Sequence, residues 1–205
     1  MRVRHVRPAT RLALAVALLG LAACRGSSGP SYAAYPAARA DTMGTASGGT
    51  PLVLQIDEGE RRVRRTAAKG PFILKVDQQN GGSPDLVMGY EELAPGAEIQ
   101  LHRHLVADEI LFVHRGTGAV FLEGRETPVR AGATVYVPRD VTIRLVNTGT
   151  DPLGLAFVFS HPGFEALMRE NSVREGEPVV PLTATERAAI QARHQWHTIA
   201  GARQP

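Results

Sequence analysis

The chain is 205 residues long, enough for one ordinary domain with attachments and too short for two comfortable ones. Its 43% hydrophobic content is that of a globular protein, and the 5% aromatic share predicts a core of Val, Leu, Ile and Ala with few large stacking surfaces. A sequence pI near 9.4 suggests a nucleic-acid partner, yet four of the 23 Lys+Arg (Arg2, Arg4, Arg7 and Arg11) sit in the first 23 residues, and without them the bases fall one short of the 20 acids. The remainder is near neutral, which excludes a diffuse basic footprint for phosphate backbones and with it nucleic acid as a partner.

The first element in chain order is an address. Residues 1–23 join a basic stretch, Met1 to Arg11, to an apolar run, Leu12 to Ala23, that has the length of a signal h-region and is too short to span a bilayer. The run ends Leu21-Ala22-Ala23-Cys24, which resembles the lipobox of bacterial lipoproteins. That resemblance implies cleavage before Cys24, lipidation of its sulfur and a membrane partner through the lipid anchor. Cys24 is the sole cysteine, so no intramolecular disulfide forms. Arg25 stands where Asp would signal inner-membrane retention in enteric bacteria, so the expected location is the cell envelope, on the periplasmic face of the outer membrane. Residues 24–50 are rich in Gly, Ser, Ala and Pro without apolar periodicity and read as a flexible linker, with a reach of roughly 30 Å.

From residue 51 to 160 short apolar or alternating runs recur between Gly, Pro, Asn and Asp: Leu52 to Ile56, Phe72 to Val76, Leu86 to Leu93, Glu98 to His104, Glu109 to His114, Ala119 to Leu122, Thr134 to Val137, Val141 to Val146 and Leu153 to Ser160. So many short strands predict an all-β sandwich or barrel. The run Arg61-Arg62-Val63-Arg64-Arg65 reads as a solvated edge strand or loop. Residues 161–205 form a helical extension of two helices. The first has Pro162 in its initial turn and Phe164, Leu167 and Met168 on the face toward the barrel. The second opens at Thr183 with Glu186 in a capping box and runs to about His197.

The chemistry sits between Gly96 and Gly116. His102 and His104, two apart on a strand, project to one face, and a turn through Leu105 to Asp108 returns the chain so that Glu109 faces the same cavity. The same parity directs Leu111 and Val113 inward and Ile110 and Phe112 outward. Two imidazoles and a carboxylate with open positions suit non-haem Fe(II); Mn, Zn, Ni and Cu also accept these ligand types. The expected cofactor is one divalent transition metal, iron first. The other reading of the same three side chains is a polar pocket that hydrogen-bonds a ligand without metal.

The spacing of Gly96, His102, His104, Glu109 and Gly116 resembles the first motif of the cupin superfamily, and Gly132, Pro138 and Asn147 resemble its second. The resemblance covers about residues 84–160 and implies a double-stranded β-helix, or jelly-roll barrel, of the small quercetin-dioxygenase-like kind, with a small-molecule ligand and the homodimer usual in that family. Two positions depart from the pattern: Asp140 stands where the family usually has Gly, and Ile143 where it usually has a fourth, metal-binding His. Two function classes follow, a metal-dependent dioxygenase-like enzyme and a non-catalytic small-molecule-binding module; a third, sugar isomerase or epimerase, lacks an evident acid/base pair beyond the cluster. His114 reads as an exposed or packed strand residue, His161 as a capping or exposed one, His194 and His197 as surface histidines, and Tyr90, Tyr136 and Trp196 as packing residues.

Overall fold

The first ten strands are β1 (Glu60–Arg64), β2 (Phe72–Val76), β3 (Val87–Leu93), β4 (Glu98–His104), β5 (Glu109–Arg115) and β6 (Thr117–Leu122), then β7 (Arg125–Arg130), β8 (Thr134–Val137), β9 (Ile143–Asn147) and β10 (Leu153–Phe159). Burial alternates residue by residue in β5, β8 and β9, while β2 and β3 are buried over longer runs. Helix α1 (Phe164–Glu170), strand β11 (Ser172–Arg174), helix α2 (Ala184–His194) and strand β12 (Thr198–Ala200) complete the chain order. The computed structural model describes residues 49–66 and 70–201, which belong to a unit spanning Gly44–Pro205. The leader, Cys24 and nearly all of the expected linker lie outside the described residues. No helix among the described residues is long and apolar enough to cross a membrane.

The strands form two antiparallel sheets, one in the order β11-β1-β2-β3-β10-β5-β8 and the other β12-β4-β9-β6-β7. This is the expected jelly roll with two helices. Between the sheets pack Phe72, Leu74, Leu93, Leu145, Leu155 and Phe157 with their neighbours, all buried. Close sheet contact dictates some residues outright. A Cβ on Gly89 would lie 2.2 Å from Phe157 Cζ and 2.6 Å from the Ile73 carbonyl oxygen, so only glycine fits there. Asn147 is buried and ties three segments, donating through Nδ2 to the carbonyls of Leu93 and Asp151 and accepting from the Gly149 N–H.

Several local expectations need correction. The run Leu52 to Ile56 is not a strand; Val53 is 86% exposed, and the Gln55 carbonyl accepts from buried Lys75 Nζ instead of a ladder partner. Both edges of β1 are already taken, by β11 and β2. The Arg61–Arg65 run is therefore not a solvated edge. Arg62 is buried against Ser172 and Glu60, Arg64 pairs with Glu91, Arg61 with Glu175, and Arg65 donates to the Val180 carbonyl. Strand β7 escapes periodicity because its sequence is polar; Pro128 is tolerated there because β7 is a sheet edge.

Pro162 precedes α1 rather than sitting in its first turn. The N-cap is Gly163 at φ 129°, with Phe164, Leu167 and Met168 turned inward as expected. The capping box at Thr183 and Glu186 is present, but α2 ends at His194. The chain then turns through Gln195 and Trp196 and adds β12 to the edge of β4, which pulls His197 fully inside and leaves His194 buried against Glu170. These two are not surface histidines. Conversely, Tyr136 (58% exposed) and Trp196 (48% exposed) are not core packing residues, whereas Tyr90 is buried and donates to Glu92.

A buried ion network fastens the first strands to α1. Arg169 bridges Glu60 and the fully buried Asp77, and Glu60 also receives Arg62. Burial alone would raise the Glu60 carboxyl, but hydrogen bonds from Arg169, Arg62 and Asn80 outweigh it and bring the group down to about 2.

Candidate metal centre

Strand β4 carries His102 and His104, β5 opens with Glu109, and the turn between them brings all three together as the spacing predicts. One nitrogen of each imidazole and one oxygen of the carboxylate lie within 4.8 Å of one another. His102 Nε2 is 3.1 Å from His104 Nε2, which is 3.6 Å from Glu109 Oε2. Metal–ligand bonds of about 2.1 Å separate neighbouring donor atoms by about 3.0 to 3.4 Å, so the 3.1 Å spacing suits a shared ion and the 3.6 Å one lies just outside that range.

The hydrogen bonds behind these atoms favour the tautomers an ion would need. His102 Nδ1 lies 2.7 Å from the Gln100 carbonyl oxygen, which can only accept, so the proton sits on Nδ1 and the Nε2 lone pair points inward. His104 Nδ1 is 3.0 Å from Thr198 Oγ1, and the same hydroxyl is 2.9 Å from His197 Nδ1. The hydroxyl accepts from one ring and donates to the other, which links His104 to His197 through β12. When His104 Nδ1 donates to the hydroxyl, both Nε2 lone pairs face Glu109 and the three atoms form an acceptor set for an ion; without one, the 3.1 Å contact between the two Nε2 atoms needs a proton on His104 Nε2.

Electrostatics points the same way. Burial, reinforced by the charge of Glu91, pushes the Glu109 carboxyl up to about 8, and Glu109 Oε2 is buried without a hydrogen-bond partner. Burial, with smaller contributions from His102 and His197, holds His104 down to about 2, a neutral imidazole at any physiological pH. Burial likewise lowers His197 to about 4, against an opposing effect of the His161 backbone. A carboxyl raised to about 8 is neutral at pH 7, and its ionised form, buried with an unpartnered oxygen beside the neutral His104 imidazole, needs a cation to compensate it. The donor set and the orphaned oxygen fit a divalent transition ion.

Above the cluster is a cavity of about 20 Å³, lined by Glu91, Ile99, His102, Glu109, Ile143 and Phe164 among others. Glu91, Ile99, His102 and Phe164 also line a wider cleft of about 250 Å³, whose far wall is made by Leu167, Met168, Gln191 and Thr198 of the C-terminal segment. Phe157, Phe159 and Phe164 cluster beside His104, with the Phe159 and Phe164 centroids 4.5 Å apart and His104 4.6 Å from Phe159. Three of the few aromatic residues thus gather beside the site.

The departures from the motif have structural counterparts. Asp140 takes φ 65°, a left-handed conformation that Asp tolerates better than most non-glycine residues, and its N–H donates to the His104 carbonyl at 2.6 Å. Ile143 is buried, pairs across the sheet with His102 and lines the cavity, so an apolar side chain occupies the place of a fourth ligand. Leu111 and Val113 are buried while Ile110 and Phe112 are exposed. His114 and His161 are exposed and apart from the cluster, as expected.

Sequence reasoning missed Glu91, Arg64, Thr198 and His197. Glu91 had a signal, since it shares strand parity with Val87 and Leu93, both buried. Thr198 had none, because 94 residues separate it from His104.

Residues 89–159 match the Cupin domain family. Among curated relatives, dimethylsulfoniopropionate lyase DddW of Ruegeria pomeroyi is 34% identical over 83 residues, covering 40% of this chain and 53% of that protein. Tetracenomycin polyketide synthase protein TcmJ of Streptomyces glaucescens is 28% identical over 115 residues, covering 50% of this chain and 77% of that one. Apart from the latter, the chain spans about half the length of the curated relatives it matches. A solved structure described as a predicted oxalate decarboxylase from Thermotoga maritima aligns with a TM-score of 0.48 and 19% identity, over 54% of this chain and 100% of that one. The motif spacing, the two facing sheets and the family match over residues 89–159 together support a place for this chain in the cupin superfamily.

Proposed function

We infer that this protein is a metal-dependent cupin enzyme acting on a small molecule, with one divalent transition ion, iron first, held by His102, His104 and Glu109. The observation that carries the reading is the convergence of one donor atom each from His102, His104 and Glu109, with Glu109 Oε2 unpartnered, beside an open cleft that His102 lines. Such an ion supplies Lewis acidity and, if iron, access to dioxygen chemistry of the dioxygenase-like kind. The chain's own residues do the rest. His102 and His104 are oriented through Gln100 and Thr198, the apolar wall of Ile143, Leu111 and Phe157 keeps bulk water from the floor, and the cleft admits a ligand of modest size. The named activity of the DddW relative is likewise small-molecule chemistry.

Cobalt(II) substitution tests the reading. The full-length chain should bind one cobalt with a visible spectrum that azide perturbs, showing coordination positions open to an exogenous ligand. One bound cobalt indifferent to azide would contradict a catalytic site. It would favour the second reading, a non-catalytic binding module, which Ile143 in the fourth-ligand place supports.

The leader sequence supports a further proposal, that the domain is tethered to the cell envelope through lipidated Cys24, with the periplasmic face of the outer membrane favoured. Metabolic labelling with a radioactive fatty acid should mark the wild type, and Cys24→Ser should abolish the label. Equal labelling of both would refute the anchor.

A further inference from the structure

Opposite the histidine strand, β3 presents a second carboxylate to the same space. Glu91 is buried, lines both the narrow cavity with His102 and Glu109 and the wider cleft above it, and belongs to the sheet facing β4. Its orientation is fixed by Arg64, which lines the cleft beside it. Arg64 Nη2 donates to Glu91 Oε2 at 2.5 Å, while Nη1 donates to the Gly70 carbonyl and the guanidinium lies 4.6 Å from the centre of the Phe72 ring. Both terminal nitrogens and one face of the Arg64 guanidinium are thereby engaged, so it acts as a fixed counter-charge rather than a mobile arm. Glu91 Oε1 has no hydrogen-bond partner among the described residues, and the carboxylate faces the cleft. Glu91 is also close enough for its charge to act on Glu109.

We propose that Glu91 Oε1 is the proton acceptor for substrate in this cleft, and that the substrate is a small, largely apolar molecule bearing an acidic hydroxyl, a phenol or an enol. This rests on the metal-dependent reading for its setting, but not for its test. The chemistry follows from what the cleft offers. Glu91 is already neutralised by Arg64, so the site calls for a neutral donor and not a cation. Ile99, Leu101, Phe164, Leu167 and Met168 give the cleft an apolar part that suits an apolar body, beside polar Thr66, Gln100, Asn171 and Gln191. In the step, the substrate O–H bond breaks, a new O–H bond forms at Glu91 Oε1, and the bonding pair stays on the substrate oxygen as an oxyanion in the cleft. No electron is gained or lost. The proton leaves through the open cleft.

The probe is 4-nitrocatechol, whose absorption band moves when a hydroxyl ionises. It is titrated into the full-length chain, loaded with iron(II) under argon and also metal-free, for the wild type, Glu91→Gln and Glu91→Asp, with metal content and melting temperature measured on every sample. Glu91→Gln keeps the size of the side chain and an acceptor for Arg64 but cannot take a proton. The wild type should bind the probe in its ionised form. Glu91→Gln should bind it about tenfold more weakly and leave it protonated, and Glu91→Asp should retain ionisation. Equal ionisation by the wild type and a folded Glu91→Gln, or no binding by the wild type in either state, overturns the proposal; if Glu91→Gln does not fold, loss of ionisation in a folded Glu91→Asp overturns it as well. A wild type that ionises the probe in a Glu91-dependent way but takes up no metal sinks the metal reading alone. One metal per chain with Glu91-independent ionisation sinks this inference alone.

Discussion

Replacing Thr198 with valine removes one hydroxyl and little volume, and the geometry around it sets the size of the effect. Thr198 Oγ1 is the sole hydrogen-bond partner of His104 Nδ1 and also contacts His197 Nδ1, at 3.0 and 2.9 Å, in a region where both rings are buried. Without it, two buried polar atoms lose their partner, at about 1 to 3 kcal/mol each when left unsatisfied. The His104 ring is then free to adopt the other tautomer, with a proton on the atom meant for the ion. Loss of such an orienting partner lowers metal affinity about 10- to 100-fold, which corresponds to about 1.4 to 2.7 kcal/mol. The assay is competition for zinc or cobalt against a chromophoric chelator, with the wild type, Thr198→Val and Thr198→Ser side by side. Serine restores the hydroxyl and should recover most of the affinity. A folded Thr198→Val that binds metal as tightly as the wild type would refute the assignment of β12 as support for the site.

Metal affinity should depend on pH through Glu109. Its carboxyl is raised from 4.5 to about 8, chiefly by burial, so below that value an incoming ion must expel a proton. Affinity should climb about tenfold per pH unit up to about 8 and then level off, with His104, already neutral, adding no release above about 2. For the metal-free protein the sign is opposite: the raised Glu109 carboxyl contributes stability that is fully present below 4.5 and lost as pH rises through about 8, which urea denaturation at several pH values reads directly, and Glu109→Gln should flatten that loss. Ile143→His should tighten metal binding about tenfold or more, because residue 143 pairs with His102 and faces the cavity; unchanged affinity in a folded variant would place the fourth position out of reach. Asp77→Ala leaves Arg169 with only Glu60 as partner and should cost about 3 kcal/mol in a denaturant titration, while a loss under about 0.5 kcal/mol, the range of an ordinary surface change, would show that the network adds nothing.

The barrel and its floor were legible because they rest on short-range rules. Strand parity alone placed His102, His104 and Glu109 together and turned Leu111 inward and Ile110 outward, and the capping box marked the start of α2. What escaped depends on contacts distant in sequence. Arg62 and Arg64 look like solvated charges until Ser172, Glu60 and Glu91 arrive from other strands to pair with them. His194 and His197 look like a helix surface until the helix ends early and a three-residue strand, too short to show periodicity, docks on β4. Leu52 to Ile56 fails as a strand for the converse reason: its pattern is apolar but the neighbouring edges are occupied. The support of the metal site by the C-terminal segment therefore could not be read from the motif that announces the site.

The account stands or falls on whether the cluster holds an ion. Metal content by mass spectrometry on the full-length chain, purified without chelator, set beside a His102→Ala/His104→Ala double variant, measures this directly. Near-stoichiometric iron or another divalent transition metal in the wild type, absent from the variant, is the result predicted here. A wild type that is metal-free and stays empty after anaerobic reconstitution with iron(II), manganese, zinc, nickel and copper would contradict it.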